Sequence, residues 1–349
     1  MRFPTYQWQP TSAEIAEEAG LTPDQVERFD HNTSPYATEW AAGVVRRGSQ
    51  SLNEYPAASY VKLRRAVAQV TGLDPDHVVP GAGADELILL AARAFLAPGQ
   101  NAAMVAPTYP LYRIATAQVR GEPIAIGASP PDFGFPADHV IAAARQAEMV
   151  WLCVPSNPLG NRPTDEEIGA VIAATDGVVI VDAAYAEFAG DNWAPWVDRY
   201  HNLLVFHTMS KAYGLAGARV GYALGHPDLI AAIDGVRPPG SISSLSVDLA
   251  VAALHAPDRM RSLVASITEE RVRLAGSLQD VGLRVLPSLT NFLLCEVGPT
   301  TRRVAGALMN RGLVARTFPE EGPLATYLRF TVRSPQAHDR LLSALRRSL

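Results

Sequence analysis

Lysine is almost missing from this chain. Of its 30 basic residues only Lys62 and Lys211 are lysines; all the others are arginine. A chain that writes arginine wherever a fixed positive charge suffices keeps lysine where an amine able to lose its proton is needed, or by chance. Cysteine is as scarce. Cys153 and Cys295 lie far apart in the strand-like runs MVWLCVP and NFLLCEV, with no metal-ligand spacing and no His or cation beside them, so neither a disulfide framework nor a metal site is expected. Both read as buried apolar fillers rather than reactive thiols. Excess positive charge is missing too: a formal charge of -5 argues against a broad grip on nucleic acid or anionic lipid and leaves small molecules as partners. Apolar stretches such as GVVIVDAAYAEFAG are broken by acids well before the ~20 residues that span a bilayer. The start, MRFPTYQWQPTSAEIAEEAG, has no basic region followed by an apolar core, so no signal peptide is expected and the cytoplasm is the expected location. Repeats and low-complexity linkers are lacking, and 349 residues at ~150 per domain suggest two domains.

What is present is an alternation of helix and strand patterns from about residue 60 to 235. SYVKLRRAVAQV, ADELILLAARAFLAPG and PADHVIAAARQA read as helices, and Thr164 with Glu167 forms a capping box for another. NAAMVAP, MVWLCVP, GVVIVDAAY and LLVFHTM read as strands buried on both faces. This alternation predicts a mostly parallel sheet covered by helices on both sides, an α/β/α layering. After Arg237-Pro238-Pro239-Gly240 the pattern changes to one long helix, short strands and a final helix, which predicts a smaller α+β domain. The expected division is an N-terminal arm, 1–37, packing on the small domain; a large domain, 38–237; and a small domain, 238–349.

Ligands of open α/β sheets bind at the carboxyl ends of the strands. Five consecutive ends here are polar or aromatic: Gly81 to Glu86, Pro107-Thr108-Tyr109, Pro155-Ser156-Asn157-Pro158, Asp182-Ala183-Ala184-Tyr185, and Thr208-Met209-Ser210-Lys211. A dinucleotide site is disfavoured, because Glu86 stands at the third glycine position and no acid follows about twenty residues on. A phosphate at the start of the ADELILLAARAF helix is the alternative, with Ser210 and Arg219 adding a hydroxyl and a guanidinium fork. Lys211 beside a phosphate-binding segment, with Asp182 emerging from a buried strand, matches pyridoxal 5'-phosphate chemistry. The amine forms a Schiff base with the aldehyde, and the carboxylate keeps the ring nitrogen protonated so that the ring accepts electrons. Asn157 and Tyr185 suit the ring's phenolic oxygen, and Tyr109 the ring face.

At these positions the chain resembles fold-type I pyridoxal-phosphate enzymes of aminotransferase class I/II, and within them the histidinol-phosphate aminotransferases. The resemblance rests on LNEYP, GAGADELILLAARAFLAPG, APTYPLYR, VPSNPLGN, VDAAYAEF, TMSKAYGLAGARVGY, TNFLL, LVARTF and YLRFTV, in family order from about residue 52 to 333. It implies Lys211 as the Schiff-base lysine and general acid/base, Asp182 as the pyridinium partner, and Asn157 and Tyr185 at the phenolate. It places Ala84, Asp85, Thr208, Ser210 and Arg219 around the phosphate. Tyr55 would reach the phosphate of the partner subunit's cofactor, which implies a homodimer with shared active sites. For the substrate it implies Arg329 and Arg316, a pair of forks suited to a dianion, with Asn32 and Tyr36 of HNTSPY as further contacts. The reaction implied is transamination between L-histidinol phosphate and 2-oxoglutarate. The Ala183, Ser156 and Leu159 departures from the family pattern leave aromatic amino acid transamination and threonine-phosphate decarboxylation open, and a non-catalytic binding or regulatory protein is the reading from another class.

Overall fold

In the computed structural model, residues 4–6 and 9–349 are described; residues 1–3 and 7–8 of the expected N-terminal arm lie outside the described residues. In chain order the strands are Glu27–Arg28 (β1), Val78–Gly81 (β2), Asn101–Ala106 (β3), Glu122–Gly127 (β4), Met149–Cys153 (β5) and Val178–Asp182 (β6). They continue with Leu203–Thr208 (β7), Gly221–Gly225 (β8), Arg284–Val285 (β9), Phe292–Glu296 (β10), Leu313–Val314 (β11) and Tyr327–Thr331 (β12).

Seven of them form one sheet in the order β2-β8-β7-β6-β5-β3-β4. β8 runs antiparallel to both its neighbours, and the other pairs are parallel. The unbroken apolar runs are explained by cover on both faces. Successive residues of β6, Ile180 and Val181, enter different core clusters: Ile180 packs with Leu87, Tyr112, Trp151 and Phe206, and Val181 with Leu63, Val150, Val205 and Val247. Because the six parallel strands point the same way, their carboxyl ends gather on one edge. Thr164 caps the helix Asp165–Ala173 through its side chain, with Glu167 returning the bond, as the capping box predicts.

The second layer is the antiparallel sheet β12-β10-β9, where Leu294 faces Arg329 in register. Its core joins Phe29, Leu293, Cys295 and Phe330 to Leu274 of helix Pro257–Asp280, Val304 of helix Thr301–Met309 and Leu341 of helix Pro335–Ser348. Full burial of such a side chain stabilises by about 1.5–3 kcal/mol. β1 pairs in parallel with β11, which ties the segment before residue 37 to this layer. The helix Ser244–Leu254, just after the Pro-Pro-Gly stretch, lies instead against helices Ala41–Gly48 and Val61–Thr71, and its Val247 and Ala250 belong to the core of the large sheet. Among the described residues no helix is long and apolar enough to cross a membrane.

Candidate active site

The helix Gly83–Phe95 begins directly after β2 with no side-chain cap, so its first N–H groups, including those of Ala84 and Asp85, have no partner within the helix. Gly83 adopts φ +82°, and a Cβ there would sit 2.8 Å from Nη2 of Arg219. Only glycine lets the guanidinium lie over the helix start. Arg219, itself at φ 50°, donates through Nη1 to Ser210 Oγ (3.4 Å) and through Nη2 to Asp85 Oδ2 (2.8 Å). Ser210 Oγ also accepts from Thr208 Oγ1 at 3.0 Å. The two acids of the first turn are engaged: Asp85 also takes the Tyr109 hydroxyl at 2.9 Å, and Glu86 takes the Ala82 N–H at 2.6 Å and the Ser241 hydroxyl at 3.0 Å. Backbone N–H groups, two hydroxyls and a guanidinium around a space that a Cβ would fill fit a phosphate.

Next to this cradle β6 ends in Asp182, buried, whose Oδ2 accepts the Tyr112 hydroxyl at 2.6 Å and whose Oδ1 accepts the Ala184 N–H at 3.1 Å. Burial pushes this carboxyl up to about 6, against the Tyr112 bond, which holds it down. Lys211 follows β7; its Nζ donates to the carbonyl of His31 at 3.4 Å and lies 5.9 Å from the Tyr185 ring centre. Burial, and after it the Arg329 charge, lower its amine to about 8. The Tyr185 hydroxyl accepts from Asn32 Nδ2 at 2.9 Å and is kept protonated by burial.

The small sheet closes the group. Arg329 of β12 donates Nη1 to Asn157 Oδ1 (2.5 Å) and Nη2 to the Asp30 carbonyl (2.7 Å), while its Nε is buried without a partner among the described residues. Burial, with the neighbouring Arg316, brings its guanidinium down to about 10. Arg316 pairs with Arg329 through reciprocal backbone bonds (3.1 and 3.0 Å), so both side chains leave the same face. Asn32, at φ 52°, is held by Thr331 and Asn291. Two expected residues stand apart from this cluster: Tyr36 is 43% exposed and Tyr55 98% exposed. The segment carrying Tyr36 still lies by the Lys211 loop, since Ser34 and Thr38 flank Gly214.

Three neighbours were not anticipated. Tyr112 follows Tyr109 by three residues across the start of the helix Leu111–Gln118, and the two rings meet edge-on at 5.8 Å, a spacing that offered a signal. His31, within HNTSPY, accepts from Arg28 Nη2 at 2.6 Å and takes the Lys211 contact on its carbonyl. Cys153 corrects the reading of both cysteines as apolar fillers. Cys295 is one, but Cys153 Sγ accepts the Asn157 N–H at 3.3 Å and donates to the Pro155 carbonyl at 3.4 Å, next to Asp182. Burial and the Asp182 charge push its thiol up to about 12, so it is no nucleophile.

The chain matches the family model described as aminotransferase class I and II over residues 26–345. It is 33% identical over 299 residues to histidinol-phosphate aminotransferase of Ruminiclostridium cellulolyticum, covering 84% of this chain and 83% of that one. To histidinol-phosphate aminotransferase 2 of Archaeoglobus fulgidus it is 34% identical over 336 residues, covering 94% and 96%. The crystal structure of histidinol-phosphate aminotransferase from Sinorhizobium meliloti in complex with pyridoxal-5'-phosphate aligns with a TM-score of 0.90 at 26% identity, over 99% of this chain and 95% of that one.

Proposed function

We propose a substrate and a division of labour for this chain, which belongs to the aminotransferase class I and II family, has its type I fold, and is a pyridoxal-5'-phosphate-dependent transaminase. It takes an amino donor and a 2-oxo acid. The donor we assign is L-histidinol phosphate, and the acceptor 2-oxoglutarate. One observation carries the assignment: Arg316, bridged backbone to backbone with Arg329 of β12, leaves the same face as Arg329, and Arg329 keeps a buried Nε–H unspent among the described residues. Two guanidinium forks at one end of a pocket match a phosphate dianion better than a single carboxylate. The relatives named histidinol-phosphate aminotransferase support the same reading.

When bound, pyridoxal 5'-phosphate supplies an aldehyde for the Lys211 amine and a ring that accepts the electrons left on the donor's amino-bearing carbon. Ala84, Asp85, Thr208, Ser210 and Arg219 hold its phosphate. Asp182 holds the ring nitrogen, and Tyr109 packs on the ring. Arg329 donates to Asn157 Oδ1, which turns the Asn157 NH2 outward as a donor; Asn32 donates to the Tyr185 oxygen, which leaves the Tyr185 proton free to donate. Both then point donors at the phenolic oxygen. With its conjugate acid near 8, about a tenth of the Lys211 amine is neutral at pH 7, against well under a hundredth for an ordinary lysine. Lys211 Nζ thus serves as nucleophile and then as the base that takes the proton from the donor carbon.

The large domain, 38–237, joined by the helix Ser244–Leu254 that packs into its core, carries the cofactor residues, and the rest of the small domain, 238–349, brings Arg316 and Arg329 over them, with the arm, 1–37, supplying Asn32. A homodimer with shared sites fits the surface of the single chain: Tyr55 and Leu52 are 98% and 62% exposed, with Val45 and Val61 also exposed. Two unpaired cysteines fit a reducing cytoplasm.

The test is the visible spectrum of cofactor-loaded enzyme given L-histidinol phosphate without an oxo acid. Loss of the lysine-bound band with gain of the pyridoxamine form is expected. An unchanged band, with conversion by L-phenylalanine or carbon dioxide release from O-phospho-L-threonine instead, overturns the substrate.

A further inference from the structure

Asp182 is not held by its own loop alone. One carboxylate oxygen takes the adjacent Ala184 N–H at 3.1 Å, and the other takes a hydroxyl from 70 residues away, Tyr112, at 2.6 Å. Tyr112 is fully buried and has no freedom to swing. Its ring stacks on Trp151 at 5.2 Å and 8°, Trp151 is itself tied by its Nε1–H to Thr116 Oγ1 at 3.3 Å, and Tyr109 meets the Tyr112 ring edge-on at 5.8 Å. Burial and the Asp182 charge keep the phenol protonated, so its proton is there to give to Asp182. An ionised carboxylate accepts about four hydrogen bonds, and these two donors leave lone pairs for a third. A buried carboxylate with one donor fewer is both less stable as an anion and free to rotate.

We propose that Tyr112 is a positioning residue: its hydroxyl pins one oxygen of Asp182 so that the carboxylate stays ionised and turned toward the cofactor's ring nitrogen, and it thereby sets how tightly and in which protonation state the ring is held. Trp151 acts one step back, as the wall that fixes the phenol. The inference rests on the assignment of Asp182 to the ring nitrogen, and its test separates the two.

Apoenzyme is titrated with pyridoxal 5'-phosphate, followed by tryptophan fluorescence, for wild type, Tyr112→Phe, Asp182→Asn and the double variant. Tyr112→Phe keeps the ring and its stack. It should weaken binding about tenfold, and in holoenzyme made with 15N-labelled cofactor the ring-nitrogen resonance should move toward its deprotonated position. In the Asp182→Asn background the same change should cost less than about twofold, because the group it positions is gone. Binding by Tyr112→Phe within twofold of wild type, or an equal tenfold loss in both backgrounds, overturns the role of Tyr112. Wild-type affinity in Asp182→Asn alone overturns the Asp182 assignment instead. Should Tyr112→Phe fail to fold, Trp151→Phe decides: about a threefold loss that vanishes with Asp182→Asn supports the proposal, and a loss independent of Asp182 refutes it.

Discussion

Two buried polar clusters in this molecule use similar residues and differ in what they leave over. In the small layer, Glu270 accepts from Arg273 Nε at 2.8 Å and from His338 Nδ1 at 2.6 Å, while His338 Nε2 accepts the Arg333 N–H at 2.8 Å. Both nitrogens of the histidine and both oxygens of the acid are used internally. At the carboxyl edge of the large sheet, among the described residues, Arg329 keeps a buried Nε–H, the helix at Gly83 opens without a side-chain cap, and Asp182 has accepted two bonds. Unspent hydrogen-bonding capacity converging on one volume, rather than residue type, separates a site from a strut. The buried orphans elsewhere, such as Arg64 Nε and Trp193 Nε1, do not converge with a lysine and a phosphate cradle.

The sharpest break in the comparison is Lys211→Ala, which should abolish turnover in a transamination assay while the folded protein survives. Arg329→Gln comes next: removing a buried charged fork should raise KM for a phosphorylated donor about 100-fold, and Arg316→Gln, nearer solvent, about tenfold, corresponding to ~2.7 and ~1.4 kcal/mol. In the strut the effect should move from kinetics to stability. His338→Ala leaves Glu270 and the Arg333 N–H short of a partner and should cost about 2 kcal/mol in denaturant unfolding, with kcat/KM within twofold. Burial holds His338 below its ordinary value of 6.5 despite Glu270, so the unfolded chain takes up a proton that the folded one resists, and wild-type stability should decline as pH falls through about 6.5. His338→Ala should flatten that decline.

Smaller in size is the titration of Lys211. Its amine is lowered to about 8, so reductive trapping of apoenzyme by an aldehyde should rise with pH around 8, and Arg329→Gln, which removes a repelling charge, should move that midpoint upward. A midpoint near 10 in wild type would show the lysine to be solvated. Lys62 supplies the null end of the scale. It is exposed and pairs with Asp248, and Lys62→Arg should change activity and stability by less than about 0.5 kcal/mol.

Much of this was legible because it is local. The buried strands ending in polar residues follow from periodicity and chain direction, and the helix start at Gly83 from glycine punctuation; Lys211 stood out because an amine is rare here. Cys153 was misread for the opposite reason: its strand is apolar, and only the turn back to Asn157 and the neighbouring Asp182 make its sulfur polar company.

The amino-acid sequence by itself determined the chemistry on offer: one amine, one carboxylate and one helix start at strand ends that the α/β alternation must gather on one edge. Tertiary structure alone decided how those groups behave. Arg329 reaches Asn157 across 172 residues, Asn32 reaches Tyr185 across 153, and Tyr112 reaches Asp182 across 70. A pKa and a free donor depend on burial and on charges supplied from far along the chain, and no local pattern carries either.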